Sequence, residues 1–205
     1  MPSVSRRFTD FIAAMTGVID GASGDETHIF RHGHAHVEAL IAQDDWLPER
    51  LARPLPGSYG QYLLYRDPWC RFTTVAFVWD AGSSTPIHDH TVWGIVGVLR
   101  GAEVAERFSV SDGGLRSLGE ARLDAGQIDC VSPRIGDIHQ VRNAYADRSS
   151  ISIHVYGADL CTIERHVFDR DSGAMRSIVS KPFDNDEPLI GDAIAGRRSA
   201  PSIPR

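Results

Sequence analysis

The pattern of apolar and polar residues changes character near residue 58. Before that point Phe8, Phe11, Ile12, Met15 and Ile19 recur at three- and four-residue intervals, which predicts an amphipathic helix from about residue 5 to 20. A shorter apolar stripe in "HVEALIAQDDW" predicts a second helix. The segment "LARPLPGSYG" then ends the helical pattern with its prolines and glycines.

After residue 58, short stretches of strand-forming residues alternate with turn sequences such as "SDGG" and "DAGQ". The predicted strands are QYLLY, FTTVAFVW, VWGIVGVLRG, EVAERFSV, ARLDAG, QIDCVS, HQVRN, SISIHVYG and RHVFD. This rhythm is typical of an all-β sandwich or barrel. We therefore predict a single domain over 1–205, with a mostly helical part at 1–57, a β barrel at 58–183 and an irregular tail at 184–205.

Composition and charge narrow the possible partners. A net charge of −6 over 205 residues provides no basic surface for nucleic acid or an anionic membrane. No apolar run approaches the ~18 residues needed to cross a bilayer, and no small-residue cleavage site follows the N-terminal apolar patch. We expect a cytoplasmic protein that acts on small molecules. The three cysteines, Cys70, Cys130 and Cys161, are widely spaced and odd in number, so we expect reduced thiols that serve as small core residues.

The segment "PIHDHTVWG" contains the first candidate ligands. On a strand, His88 and His90 would project to one side and Asp89 to the other, so that two imidazoles could share a metal. A third ligand must come from elsewhere, and "PRIGDIHQVRN" offers His139. An isolated His-x-His is more often a pair of surface residues near a turn, so these residues alone leave both interpretations open.

A second histidine cluster, "HGHAH", would place His32 and His36 on one face of a helix, with His28 nearby. The segment lies at the start of the second predicted helix and has no carboxylate pattern that would orient ligands. We interpret it as a solvated helix entrance.

In "SISIHVYG", three polar residues alternate with three apolar ones. Ser152, His154 and Tyr156 would therefore share one face of a strand. On a buried strand such a row must be hydrogen-bonded, since each unsatisfied buried polar group costs about 1–3 kcal/mol. On an edge strand the same row would simply face solvent.

Two longer patterns resemble the motifs of the cupin superfamily. The first runs from Gly82 through His88 and His90 to Gly101, and the second is "GQIDCVSPRIGDIHQVRN". The resemblance implies a jelly-roll barrel with a metal site inside and the N-terminal helices packed outside. Many cupins have a glutamate ligand where this chain has Gly94. Three neutral imidazoles leave the full charge on a divalent metal, which favours anionic ligands such as a thiolate.

With the serine, histidine and tyrosine row added, the chain from about Tyr59 to Phe168 resembles the thiol dioxygenases of the cysteine dioxygenase type. The resemblance implies Fe(II) as cofactor and a reaction that converts a small thiol and dioxygen to a sulfinate. It also implies two sets of residues. The implied iron ligands are His88, His90 and His139, and the implied catalytic hydrogen-bond relay is Ser152, His154 and Tyr156.

Two departures indicate a subgroup. Mammalian-type cysteine dioxygenases have a cysteine, crosslinked to the tyrosine, where this chain has Gly94, and a carboxylate-binding arginine where it has Gln61. Both features look like the bacterial 3-mercaptopropionate dioxygenases, in which an arginine matched by Arg165 binds the substrate carboxylate, so the resemblance implies Arg165 and the neutral amide of Gln61 as substrate-binding residues. Taken alone, Arg165 would more often be a surface ion-pair residue. Cysteine and mercaptosuccinate remain alternative substrates, and a non-catalytic metal-binding cupin or another cupin enzyme remains an alternative function.

Overall fold

The computed structural model describes residues 4–111 and 114–190. It begins with helices α1 (Arg6–Ala22) and α2 (Glu26–Ile41), followed by a short 3-10 helix at Glu49–Leu51. Within the described residues, no helix combines the length and apolar character that a membrane span requires. Both predicted helices are present.

Helix α2 begins about ten residues before the predicted start. The Asp25 side chain caps it by accepting a hydrogen bond from the Thr27 amide. Its buried face includes Gly33, where an added Cβ would lie 3.0 Å from Ile95 and 3.2 Å from Met15. A glycine in the buried stripe hides the helical pattern, and the prediction that "HGHAH" forms the helix entrance was therefore wrong.

Eleven strands follow the helices. Their bounds are β1 Tyr59–Arg66, β2 Thr73–Trp79, β3 Ile87–His88, β4 Gly94–Arg100, β5 Ala102–Ser111, β6 Gly114–Asp124, β7 Ile128–Val131, β8 His139–Asn143, β9 Ser150–Tyr156, β10 Arg165–Phe168 and β11 Met175–Ile178. Strand β6 is longer than predicted. The sequence pattern missed its first part because the strand is largely exposed and carries no alternation of apolar and polar residues. Residues 184–190 form no helix or strand, and 191–205, the rest of the expected tail, lie outside the described residues.

The strands form two antiparallel sheets, ordered β1-β2-β9-β4-β7 and β11-β10-β3-β8-β5-β6. The eight strands from β2 to β9 are divided between the two sheets, and apart from the β5–β6 hairpin the neighbours in a sheet are distant in sequence, as in a double Greek-key jelly roll. Strand β1 extends one sheet, and β10 and β11 extend the other. The protein is mainly β, with a cupin-type jelly-roll barrel and two N-terminal helices packed outside it, as the sequence motifs imply.

The helices cover the outer face of the first sheet, and this decides which way β9 presents its side chains. Strand β9 lies between β2 and β4, and all seven of its residues are buried. Ile151, Ile153 and Val155 pack in the same core cluster as α1 and α2. The alternate face, which carries Ser152, His154 and Tyr156, therefore points into the barrel, and the edge-strand interpretation of that row is wrong.

The cysteines are unpaired, as expected, but none is fully buried, and only Cys130 packs against a core cluster of the described residues. Cys70 is exposed, and Cys130 and Cys161 are half-buried. Partial burial raises the pKa of both half-buried thiols to about 11, so they remain protonated at neutral pH.

Candidate metal centre

Three buried histidines meet inside the barrel. His88 on β3 is the direct register partner of His139 on β8, and His90 follows two residues after His88. The ring centroids are 4.8 Å apart for His88 and His139, 4.9 Å for His88 and His90, and 5.0 Å for His90 and His139. Each residue offers one nitrogen, and these three atoms lie within 4.8 Å of one another. In the described part of the chain, this is the only group of its kind that could hold a metal ion.

Hydrogen bonds orient two of the rings towards a shared point. His88 Nδ1 donates to the Pro86 carbonyl oxygen at 3.0 Å, and His90 Nδ1 donates to Asp137 Oδ1 at 2.9 Å. Each ring therefore keeps its Nε2 lone pair for a metal. His139 Nδ1 is buried and has no hydrogen-bond partner among the described residues. Two oriented imidazoles and a third that has no hydrogen-bond partner, each offering a nitrogen to one point, fit a divalent cation.

The electrostatics of the cluster also favour metal binding. Burial, reinforced by the neighbouring imidazoles, lowers the pKa of His88 and His139 well below the ordinary value. Neutral imidazole is the form that coordinates metals. The cluster could therefore bind a metal, while the identity of the metal stays a prediction.

Strand β3 ends at His88, so His90 lies outside it and strand geometry alone does not place its side chain. The Asp137 carboxylate does so instead. Its Oδ2 accepts hydrogen bonds from the backbone amides of His90 at 3.0 Å and Thr91 at 2.8 Å. Burial alone would raise the pKa of Asp137, but the hydrogen bonds from the His90 ring and from the backbone amides of His90 and Thr91 outweigh burial, and the pKa lies below its usual value. The ionised carboxylate both positions the chain and selects the His90 tautomer.

We expect Asp137→Asn to weaken metal affinity about 10–100-fold while leaving the fold intact, because the charge that holds the His90 ring is lost. Titration of the metal-free protein with a divalent cation measures the affinity. The matched control is Asp124→Asn, which alters an exposed pair with Arg122. Unchanged metal affinity in the Asp137 variant would show that Asp137 does not orient His90 for metal binding.

The predicted polar row forms a continuous hydrogen-bonded chain. Ser152 Oγ lies 2.7 Å from His154 Nε2, and His154 Nδ1 lies 2.7 Å from Tyr156 Oη. Trp79 Nε1 donates to Ser152 Oγ at 3.1 Å. The Tyr156 ring stacks on His90 with centroids 5.1 Å apart, so the chain reaches from the metal cluster into the barrel wall.

Burial controls the charge states along this chain. It lowers the pKa of His154 well below the ordinary value, and it raises the pKa of Tyr156 far above the ordinary value against an opposing effect of Arg165. At neutral pH the chain therefore consists of a hydroxyl, a neutral imidazole and a phenol. Each of these groups can donate one hydrogen bond and accept another.

Gly94 lies directly against the tyrosine. It is the register partner of Tyr156, and an added Cβ would lie 2.9 Å from two of the ring carbons and 3.0 Å from Val131. Any side chain at this position requires the ring or its neighbours to shift. The glycine thus accommodates the ring in a place where a crosslinking residue would have to displace it.

A cavity of about 80 Å³ adjoins the three histidines, and both predicted substrate-binding residues line it. Arg165, at the start of β10, donates through Nε to Ser180 Oγ at 2.9 Å and through Nη1 to the Asp89 carbonyl at 3.1 Å. Of the residues that the structure describes, no Asp or Glu pairs with Arg165 within 4.0 Å. Gln61, on β1, is 7% exposed. Arg165 therefore presents an unneutralised charge to the cavity.

Several residues that shape the site were not predicted. Asp137 is one, and Asp89 is another: it accepts from the His166 amide at 2.6 Å and contacts His166 Nδ1 at 2.7 Å, which anchors the loop after β3 to β10. Tyr59 also lines the cavity, next to Arg165. The carboxylates stand beside the predicted ligands in sequence, but nothing in that adjacency indicates partners 47 or 77 residues away.

No family model matches the chain. It is similar in structure to the TT1209 protein from Thermus thermophilus, with 22% identity over 54% of this chain and 92% of that chain and a TM-score of 0.43. It is similar to an uncharacterised conserved protein with a double-stranded β-helix domain from Klebsiella pneumoniae, with 17% identity over 57% and 87% and a TM-score of 0.44. An RmlC-like cupin protein from Ralstonia eutropha matches with 20% identity over 56% and 64% and a TM-score of 0.38. Likenesses this distant carry no functional argument, and the strand order and the three-histidine site define the protein as a cupin-fold protein with a candidate metal centre.

Proposed function

We propose that the protein is a non-haem Fe(II) thiol dioxygenase that converts a small carboxylated thiol and dioxygen to the sulfinate. The observation that carries the proposal is the convergence of three features on one buried cavity: a metal site without a carboxylate ligand, a hydrogen-bonded relay and an unpaired guanidinium. The net reaction adds both oxygen atoms to sulfur, so that RSH and O₂ become RSO₂H, and the sulfinic acid then loses its proton.

The residues that would hold the iron are His88, His90 and His139, an all-nitrogen set that leaves other coordination positions free. Iron bound there would supply redox chemistry and a site for the substrate thiolate. The neutral donor set supports an anionic sulfur ligand because it leaves the whole charge of the cation uncompensated.

The protein's own residues would bind the substrate and manage its proton. Arg165 would bind the carboxylate through the guanidinium hydrogen-bonding capacity that Ser180 and Asp89 leave unused. Tyr156 would exchange a proton with the thiol through a phenol that His154 already hydrogen-bonds. The buried walls would exclude bulk water, which strengthens each of these interactions.

We favour 3-mercaptopropionate as substrate. A cavity of about 80 Å³ suits a ligand of few atoms, and Arg165 is the only Lys or Arg among the described residues that line it. Cysteine would bring an ammonium group next to Arg165 with no carboxylate in the described lining to receive it. Mercaptosuccinate would bring a second carboxylate with only the neutral amide of Gln61 to accept it. Both remain alternatives in the same reaction class.

We also propose a cytoplasmic location with a small thiol and dioxygen as partners, and the net charge of −6 supports the absence of a nucleic-acid or anionic-membrane partner.

The test is oxygen uptake by the iron-loaded protein with cysteine, 3-mercaptopropionate, mercaptosuccinate and cysteamine, with the sulfinate identified by mass spectrometry. We expect the highest kcat/KM with 3-mercaptopropionate. A clear preference for cysteine would overturn the substrate and keep the reaction. Absence of sulfinate with every thiol would overturn the enzyme proposal and favour a non-catalytic metal-binding cupin.

We expect Arg165→Met to raise the KM for 3-mercaptopropionate about 10–100-fold, the loss of roughly 1.4–2.8 kcal/mol of charge-assisted binding. Oxidation of cysteamine, which has no carboxylate, should be unaffected. The matched control is Arg142→Met, which alters an exposed pair with Glu120. Equal losses for both thiols would mean that Arg165 supports the structure of the site instead of binding the carboxylate.

A further inference from the structure

A buried carboxyl group lies at the inner end of the relay, where the proposed function assigns it nothing. Glu103, on β5, is 3% exposed. Its neighbour two positions along the strand, Ala105, packs in the core cluster inside the barrel, so Glu103 faces the same interior. Its Oε1 has no hydrogen-bond partner among the described residues.

The hydrogen bonds that reach Glu103 come from the last members of the relay. Ser152 and Trp79 are the two side chains that act on the Glu103 carboxyl group as donors and lower its pKa, and Trp79 also donates to Ser152 at 3.1 Å. The chain Tyr156–His154–Ser152 therefore ends beside the Glu103 carboxyl group. It connects a tyrosine beside the metal cluster with an acid in the barrel wall, and every link is a group that can both give and receive a proton.

The surroundings of Glu103 differ from those of a structural ion pair. Its register partners are Asn143 on β8 and Leu123 on β6, and neither carries a charge. From β2 and β9 it meets Trp79, Ser152 and, through electrostatics, the neutral phenol of Tyr156.

Burial without a cation raises the pKa of Glu103 to about 7, against the smaller opposing effect of its two hydrogen bonds. Glu106, three residues along β5, shows the usual behaviour of a glutamate that has a cation beside it. Its ion pair with Arg170 lowers its pKa.

We propose that Glu103 is the proton-holding end of the relay: it exchanges one proton with the cavity through Ser152, His154 and Tyr156, and its ionisation sets the tautomer of His154. Glu103 touches neither substrate nor metal, and it acts through Ser152. A barrel that needed only a hydrogen-bond acceptor at this position would be served by a neutral amide, without the cost of burying an ionisable acid.

The exchange transfers one proton along the relay and involves no electron transfer. With Glu103 ionised, Ser152 donates to Glu103, His154 donates from Nε2 to Ser152, and Tyr156 donates to His154 Nδ1. A proton entering at the Tyr156 oxygen moves each of these hydrogens one link inward. Glu103 then holds the added proton and donates to Ser152, Ser152 donates to His154 Nε2, and His154 donates from Nδ1 to Tyr156. The His154 tautomer therefore inverts, while His154 carries no net charge at either end.

The proposal rests on the contacts of the relay and not on the proposed function, and its test uses no substrate. The protein is loaded with Zn²⁺, a diamagnetic ion, and its histidine ring nitrogens are observed by ¹⁵N NMR from about pH 5.5 to 9, a range that brackets the raised pKa of a buried acid. In the wild type we expect the protonated nitrogen of His154 to change from Nδ1 at low pH to Nε2 at high pH, with a midpoint near the pKa of Glu103, about 7. In Glu103→Gln one tautomer should persist over the whole range.

Glu106→Gln is the matched control, since it removes a half-buried, ion-paired glutamate from the same strand, and it should retain the switch. Ser152→Ala provides a second variant should Glu103→Gln fail to fold. It keeps the carboxyl group but breaks the link, so the His154 tautomer should no longer change near the pKa of Glu103. A wild-type His154 that keeps one tautomer over the whole pH range, or that switches equally in Glu103→Gln or Ser152→Ala, overturns the proposal.

Discussion

We expect His139→Ala to abolish stable iron retention and to reduce thiol oxidation to the level of the metal-free protein. His139 is the only ligand candidate that β8 contributes, and it faces His88 directly across the sheet. Its removal leaves two imidazoles, both on the segment around β3, and opens one side of the site. The loss should exceed the ~10–100-fold that follows from disturbing a residue that only orients a ligand.

The measurement must separate metal binding from metal identity. Zinc, copper and nickel bind nitrogen sites more tightly than ferrous iron, so both proteins should be stripped and reloaded with Fe(II) without oxygen before metal content and rate are compared. His34→Ala, in the middle of α2, is the matched control and should keep full iron and activity. Full iron content and an unchanged rate in the His139 variant would refute the assignment of His139 as a ligand. Loss of metal from the His34 variant would instead indicate that "HGHAH" binds a metal.

We expect Tyr156→Phe to lower kcat for the preferred thiol about 10²-fold while iron content stays unchanged. The substitution removes the hydroxyl that bonds His154 Nδ1 at 2.7 Å and thereby disconnects the relay from the cavity. The phenyl ring can keep the stacking on His90, so the ligand geometry should be preserved.

Iron content, kcat and KM measured together test this role. Tyr145→Phe, which alters a half-buried tyrosine stacked with Arg148 and outside the lining of the cavity, is the control and should leave all three unchanged. Loss of iron from the Tyr156 variant would show that the ring supports the ligands. An unchanged kcat would show that the relay takes no part in the rate-limiting step.

Glu103 and Asp137 illustrate the limit of sequence analysis at this site. Strand periodicity places Ser152, His154 and Tyr156 on one face, because alternation along a strand depends only on local backbone geometry. The same periodicity cannot distinguish an edge strand from a central one. Nor does it show that a glutamate on β5 lies at the end of the row, because β5 and β9 belong to different sheets that meet only when the barrel closes.

The sequence by itself determined the two helices, most of the barrel strands, the three histidines as a candidate metal group and the face shared by the relay residues. These features depend on residue type, local spacing and a motif resemblance. Only the tertiary structure decided that β9 is buried on both faces, that Asp137 holds His90, that Gly94 accommodates the Tyr156 ring and that Glu103 ends the relay. Each of these depends on contacts between residues brought together by strand order, and a linear pattern of apolar and polar positions contains no record of that order.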